Sequence, residues 1–183
     1  MKRQVPVVGV LGFALCFGVA CGDRALKVEL DTIRAREATE ERNKQVARDF
    51  IAAIDRQDFA SLRGLLADGF ALSAPGAADP LTADGLFAAI KSHYTAFPDW
   101  RHVIEDVTCE GEKVTVRLVQ HGTHKAEYEG VSATGNEVHM AALHLARIVD
   151  GKVEEWWAVE DYLGLMTQLG MELKPKQASS GKP

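Results

Sequence analysis

The residues from Glu137 to Asp161, EVHMAALHLARIVDGKVEEWWAVED, decide the fold. Two runs of alternating side chains flank Asp150-Gly151, a dipeptide that favours a tight hairpin turn. The spacing predicts strands over 137–149 and 152–160. Parity divides the second strand. Val153, Glu155, Trp157, Val159 and Asp161 share one face, and Glu154, Trp156, Ala158 and Glu160 share the other. The first set has the smaller share of charge and is assigned inward. In the strand before, Met140, Ala142, His144, Ala146 and Ile148 share a face. Two alanines beside a histidine leave room for a pocket.

The alternation extends upstream, with strands expected over 101–109 and 113–123 joined at Glu110-Gly111-Glu112. Val114, Val116, Leu118 and Gln120 form the apolar-facing set of the second. Thr134-Gly135-Asn136 closes the next connection. Before Pro98 the period is helical. One long helix is expected from Arg24 to about Gln57, its charged stretch Arg34–Lys44 followed by Val46, Phe50, Ile51 and Ile54. Asp58 caps a second helix that ends at Asp68-Gly69. Phe70–Ser73 is a short strand and Ala74–Pro80 a loop. Thr82 caps a third helix burying Leu86, Phe87, Ile90 and Tyr94. A last helix runs from Asp161 to about Met171. The class is therefore α+β, with helices packed on one face of an antiparallel sheet.

A chain of 183 residues with 46% apolar content fits one domain plus appendages. The net charge of −5, with no basic stripe, argues against a nucleic-acid partner. Met1-Lys2-Arg3 and the apolar run Val5–Val19 have the form of a signal peptide. Gly18-Val19-Ala20-Cys21 resembles a bacterial lipobox, with Gly18 in place of the usual leucine. The expected organisation is a lipoprotein-type leader over 1–20, a helical or disordered tether over 21–38, the domain over 39–172 and a disordered tail over 173–183. Cys21 would carry the lipid and anchor the chain to a membrane of the bacterial cell envelope; the rival is cleavage and release as a secreted soluble protein. Cleavage before Cys21 also removes Cys16, Lys2 and Arg3. That leaves Cys109 as the one free thiol and takes the charge from −5 to −7.

Several residues are candidates for chemistry. Asp161 ends a strand four residues after Trp157. Desolvation beside an indole raises a carboxyl pKa toward the range of a general acid–base. The same residue is placed to cap the last helix, a role that stabilises the anion and works the other way. His144 is either a pocket residue or a satisfied core histidine. Glu155 either reaches the pocket or pairs with Arg147 or Arg117. His124 closes a strand, where a bond to the following loop explains it equally well. His121, His124 and His139 lack metal-ligand spacing for a strand, and no metal site is expected. There is no phosphate-binding glycine loop, Ser73 has no nucleophile elbow, and Cys109 lacks a cationic setting.

From about Gln45 to Gly170 the chain resembles the SnoaL-like polyketide cyclases, also called ester cyclases, of the nuclear transport factor 2-like superfamily. The residues carrying this are Phe50-x-x-Ala53-Ile54 with Asp58; Ala96-Phe97-Pro98-Asp99; Gly122-Thr123-His124; Thr134-Gly135; Arg147 with Asp150-Gly151; Glu155-x-Trp157-x-x-x-Asp161; and Gln168-Leu169-Gly170. The resemblance implies a curved sheet wrapped around a long helix with a cavity at one end. It implies intramolecular aldol ring closure without metal or cofactor, Asp161 as the carboxylate that handles the proton, and His144 as a polar pocket position. Family members often carry His or Asn where Ser73 stands, and His where Trp156 stands. Typical cyclases of antibiotic pathways are cytoplasmic, whereas this chain has an export-type leader.

Two functions follow as expectations. In the first, a small lipophilic carbonyl compound enters the cone. Asp161 and His144 act on it, Gln120 orients polar groups, and Trp157, Glu155, Phe97, Ser73 and Tyr94 line the pocket. In the second, the cone holds a lipophilic ligand or a protein partner without catalysis. An epoxide-hydrolase-like site would instead need two carboxylates flanking Arg117 or Arg147 turned inward. A homodimer is expected through Trp156, Leu143 and Leu145 on the outer sheet face.

Overall fold

A computed structural model describes residues 16–172 and residue 174, with side chains from residue 23 onward. Residues 1–15 of the expected leader, the side chain of Cys21 and the expected tail, residue 174 apart, lie outside the described residues. The chain divides into two compact units, Met1–Thr39 and Glu40–Pro183. In the first, helix α1 (Cys16–Asp55) begins, and Leu26, Val28, Leu30 and Ile33 are exposed along it. Among the described residues no helix is long and apolar enough to cross a membrane.

The second unit contains the rest of α1, then α2 (Phe59–Leu65), β1 (Leu66–Ser73), α3 (Ala83–Ala96), β2 (Arg101–Glu110), β3 (Lys113–Thr123), β4 (Glu137–Val149), β5 (Lys152–Glu160) and α4 (Tyr162–Gln168). The caps are local and physical. The Asp58 carboxylate accepts from the Ser61 N–H, and the Thr82 hydroxyl accepts from the Gly85 N–H. Helix α2 stops at Leu65, where the backbone turns extended at Leu66, so Asp68-Gly69 lies inside β1 rather than ending the helix. Asp150 (φ 49°) and Gly151 (φ 75°) both take the left-handed conformation that a tight two-residue hairpin turn demands.

The five strands form one sheet in the order β1-β5-β4-β3-β2. Strands β2 to β5 are an antiparallel meander, as the hairpin signals predict. The expectation of an all-antiparallel sheet is corrected at β1, which pairs parallel to β5, with Leu72 opposite Trp156 and Ser73 opposite Trp157. A parallel partner needs a crossover, and here the chain passes through α3 and three strands before β5 arrives. Local turn signals carry no information about that pairing.

A second irregularity matters more. Between β4 and β5, Arg147 pairs with Glu155 but Ile148 pairs with Val153. Glu154 is therefore an extra residue, a β-bulge, and the parity of β5 reverses across it. Val153 faces the core, and so do Trp156 (2% exposed), Ala158 and Glu160. Trp157 and Val159 turn outward. The inward assignment of Glu155, Trp157, Val159 and Asp161 is corrected accordingly. So is the outward placement of Trp156, whose ring lies 4.4 Å from that of Phe50 in the core. On the outer face Leu143 and Val159 are exposed.

The core lies between the sheet and the helices. Ala47, Phe50 and Ile51 from α1 and Leu86, Ile90 and Tyr94 from α3 meet Val116, Leu118, Met140, Ala142, Ala146 and Val153. The α3–β2 corner is tied down by Asp99, whose carboxylate accepts from the Thr123 N–H (2.8 Å) and hydroxyl (2.7 Å). Beside it, Trp100 packs closely against Gly122. A Cβ at Gly122 would sit 2.7 Å from Trp100 Cε3 and 3.3 Å from its Cα. The bare glycine is what lets Trp100 bury to 1% exposure. Gly122→Ala is expected to destabilise the fold by about 1–3 kcal/mol through overpacking. In urea unfolding the midpoint should fall with an unchanged slope; a midpoint at or above the parent's would show that the contact is not tight.

Candidate functional site

A cavity of about 340 Å³ lies within the second unit. Its helical wall is Phe50, Ile51 and Ile54 of α1 with Leu86, Ile90, His93 and Tyr94 of α3. Its sheet wall is His102, Gln120, Met140, His144, Trp156, Ala158 and Glu160. Most of this lining is apolar. The polar exceptions on the sheet form a band, because register places His102 opposite Gln120 and Ala142 opposite Glu160.

The band is ordered by donors and acceptors that leave little choice. The Trp100 Nε1–H donates to Gln120 Oε1 at 3.1 Å. An indole is a donor only, so the Gln120 amide must turn its NH₂ the other way. That group donates to Glu160 Oε1 at 2.8 Å. His144 Nε2 stands 3.4 Å from the same oxygen, within ion-pair reach but outside hydrogen-bond geometry. The His144 ring is packed edge-on against Trp156 at 5.6 Å, and both its nitrogens are buried without a hydrogen-bond partner.

Burial opposes ionisation of Glu160. The neighbouring His144 and the Gln120 amide outweigh it, and the carboxyl lies below the usual glutamate range. The site therefore holds a carboxylate anion, with 33% of the side chain still open. Facing it, His93 is stacked on Phe97 at 4.9 Å, edge-on to Trp100, and its Nε2 has no partner. Burial pushes its pKa down to about 4, against the opposing pull of Glu160. The imidazole is neutral at pH 7.

A second carboxylate–imidazole pair meets the cavity at the edge strand. Asp55, the last residue of α1, places Oδ1 2.6 Å from His102 Nδ1, and its Oδ2 accepts from the His102 backbone N–H at 3.3 Å. The Tyr94 hydroxyl donates to Oδ1 at 3.3 Å. Burial, then the charge of Asp55, raises the Tyr94 pKa.

The expected site residues divide. His144, Gln120 and Tyr94 line this cavity. Asp161 does not. It is exposed and caps α4, accepting the Gly164 N–H at 2.8 Å. A side chain at Gly164 would collide with the Asp161 carboxylate, so that glycine admits the cap. The reason for the correction is the bulge, which turns Glu160 inward and Asp161 outward. Trp157, Glu155 and Ser73 line a separate outer groove with Arg147. There Glu155 accepts from Arg147 at 2.9 Å, and Glu154 also pairs with that arginine. Phe97 is fully buried behind His93, in the wall rather than on it. His124 bonds the following loop through Thr134. Arg117 pairs with Glu105 at the surface, so neither arginine serves an epoxide-hydrolase-like site. Burial pushes the Cys109 thiol up, away from reactivity. Among the described residues no group of three metal-ligating side chains converges.

Glu160, His93, His102 and Asp55 were not singled out by sequence. Glu160 sat in the rejected parity set, and recognising the bulge would have found it. His102 was legible as the inward partner of Gln120 once strands β2 and β3 were in register. Asp55 and His93 lie on helices, where nothing in the spacing marks them as facing a cavity.

Comparison with known proteins places this geometry in context. The family model described as SnoaL-like polyketide cyclase matches residues 44–169. The aklanonic acid methyl ester cyclase DnrD of Streptomyces peucetius is 38% identical over 77 residues, which is 41% of this chain and 52% of that protein. The chain spans about half the length of the curated relatives it matches. Among solved structures, IdmH, a proposed polyketide cyclase from Streptomyces antibioticus, superposes with a TM-score of 0.65 at 28% identity, covering 70% of this chain and 99% of that one. TsrD from Streptomyces laurentii superposes with a TM-score of 0.63 at 25% identity, covering 71% and 96%.

The depressed His93 pKa links folding to pH. The unfolded imidazole titrates near 6.5 and the folded one near 4. Between those values the unfolded state binds more protons, so stability is full above pH 6.5 and is lost as pH falls toward 4. His93→Phe should remove this part of the acid sensitivity, on the order of 3 kcal/mol at most. Urea unfolding at pH 7, 5.5 and 4 checks it; identical pH slopes for the two proteins would refute a buried neutral His93.

Proposed function

Because this chain belongs to the SnoaL-like polyketide cyclase family, we propose that its cavity carries out acid–base chemistry on a small, largely apolar carbonyl compound, with Glu160 as the base and His144 as its partner. The observation that carries this reading is the Glu160 carboxylate, fixed by Gln120 and flanked by an unsatisfied His144 inside an apolar cavity of about 340 Å³. The cavity suits a lipophilic molecule, and its few polar atoms converge where such a molecule would need orientation.

The chemistry follows from the geometry. Glu160 is held ionised by the neighbouring His144 and the Gln120 amide. An apolar substrate closing over the carboxylate removes solvation from the anion and strengthens it as a base. A proton next to the substrate carbonyl passes to Glu160, and the electron pair left behind spreads into the enolate. His144, whose nitrogens lack partners, supplies a hydrogen bond to the enolate oxygen. Proton transfer by a positioned group contributes about a hundredfold or more. The family resemblance implies no metal or cofactor, and the step needs none. Asp161, which the resemblance implies as the carboxylate, supports α4 in this reading.

The lipobox-like Gly18-Val19-Ala20-Cys21 supports a further part of the proposal, attachment at the cell envelope through a lipid on Cys21. In a bacterial host, Cys21→Ser should abolish incorporation of labelled palmitate; retained label would exclude this site.

The catalytic reading is tested with aklanonic acid methyl ester, the compound named for the cyclase relative. Turnover followed by chromatography should fall at least about a hundredfold in Glu160→Gln, with binding preserved. Asp161→Asn keeps a good helix cap and should stay within about threefold of the parent. The reverse pattern would return the role to Asp161. Binding without turnover in the parent protein would favour the non-catalytic alternative, a lipophilic-ligand carrier at the envelope.

A further inference from the structure

We propose that His102, oriented by Asp55, is a second proton-handling group of the same cavity, the acid that protonates a second oxygen of the substrate. This rests on the reading above and deepens it. In the aldol ring closure that the family resemblance implies, it is the acceptor carbonyl oxygen that needs such an acid.

The observations are geometric. Asp55 holds His102 by two contacts, one to Nδ1 at 2.6 Å and one from the backbone N–H at 3.3 Å. Both side chains are largely buried, His102 to 9% exposure and Asp55 to 19%. A carboxylate only accepts, so Nδ1 carries the hydrogen and Nε2 is the ring atom left for the cavity that His102 lines. Tyr94 braces the same carboxylate from α3 at 3.3 Å. A purely structural tie between α1 and β2 needs only the backbone contact. The ring contact adds an oriented imidazole facing an apolar chamber, separated from Glu160 by Gln120. The two carboxylates sit at opposite ends of the polar band, and His93, facing Glu160, is kept neutral by its burial.

The division of labour balances. Glu160 takes the donor Cα proton as that C–H bond breaks. The enolate carbon forms a C–C bond to the acceptor carbonyl carbon, and the acceptor π pair moves onto its oxygen. That alkoxide takes its proton from His102 Nε2 as Nε2 receives, through solvent, the proton that Glu160 gained, and the Nδ1–H stays against Asp55 throughout. No atoms are gained or lost, and the product is a cyclic hydroxyketone isomeric with the substrate. His102 is the catalytic residue and Asp55 the positioning residue.

Two measurements test this. With aklanonic acid methyl ester, His102→Phe should lower kcat at least about thirtyfold. Asp55→Asn, which keeps an acceptor but drops the charge, should lower kcat at least about tenfold with KM within twofold. An effect on KM alone, or on neither, overturns the assignment. Binding decides the matter even without turnover. Calorimetry with 1-naphthol, an aromatic hydroxyl probe, is compared with naphthalene. His102→Phe should lose at least tenfold affinity for 1-naphthol and keep naphthalene within twofold. Equal retention of both overturns the inference while leaving the cavity reading intact. A parent protein that binds neither probe overturns both. Should His102→Phe fail to fold, His102→Leu, which has no polar side-chain atom, is judged by the same limits.

Discussion

One extra residue in one strand governs this site. Glu154 bulges from β5, so the strand that begins with Val153 inward continues with Trp156, Ala158 and Glu160 inward. Without it, strict alternation would send Trp157 and Asp161 to the cavity and turn Trp156 and Glu160 to solvent. The bulged side chain is not idle, since Glu154 and Glu155 both pair with Arg147 on the outer face. Those ion pairs are half-exposed and individually weak. The observed register buries Trp156 against Phe50 and sets Ala158 and Glu160 in the cavity wall.

The polar band inside the cavity is kept at low cost by completing one chain of partners. Trp100 has a single N–H and gives it to Gln120. Gln120 then has an NH₂ to spare and gives it to Glu160. An anion in an apolar chamber is tolerated because these contacts offset its lost hydration. What remains unsatisfied is instructive. Among the described residues His93 Nε2, His124 Nε2 and both nitrogens of His144 are buried without a hydrogen-bond partner, and those of His93 and His144 belong to the cavity lining. A bound molecule with oxygen atoms would satisfy the two in the lining.

The solved structures and the family model agree on architecture, while chemistry on this fold is set by the few side chains that reach the chamber. In this chain those side chains are two carboxylate–imidazole pairs joined through Gln120. The residue at the family-implied position, Asp161, is engaged at a helix terminus, and the acidic side chain one position earlier holds the interior place.

Sequence by itself determined most of the fold. Periodicities of 3.6 and 2 give the start and inner face of α3 and the β2–β5 meander, its strands almost to the residue, because buried and exposed faces repeat along each element and the Asp150-Gly151 turn is a local signal. It also marked His144, Gln120 and Tyr94, each on a face that periodicity assigns inward. Tertiary structure alone decided the parallel pairing of β1 with β5, since strands distant in the chain find one another through backbone groups common to every residue. It decided the bulge at Glu154 as well, because an inserted residue is stabilised by packing on both sides of the sheet and leaves the local pattern unchanged. Asp55 and His102 meet only because α1 ends beside the edge strand, and proximity between remote segments is not written in the spacing of either.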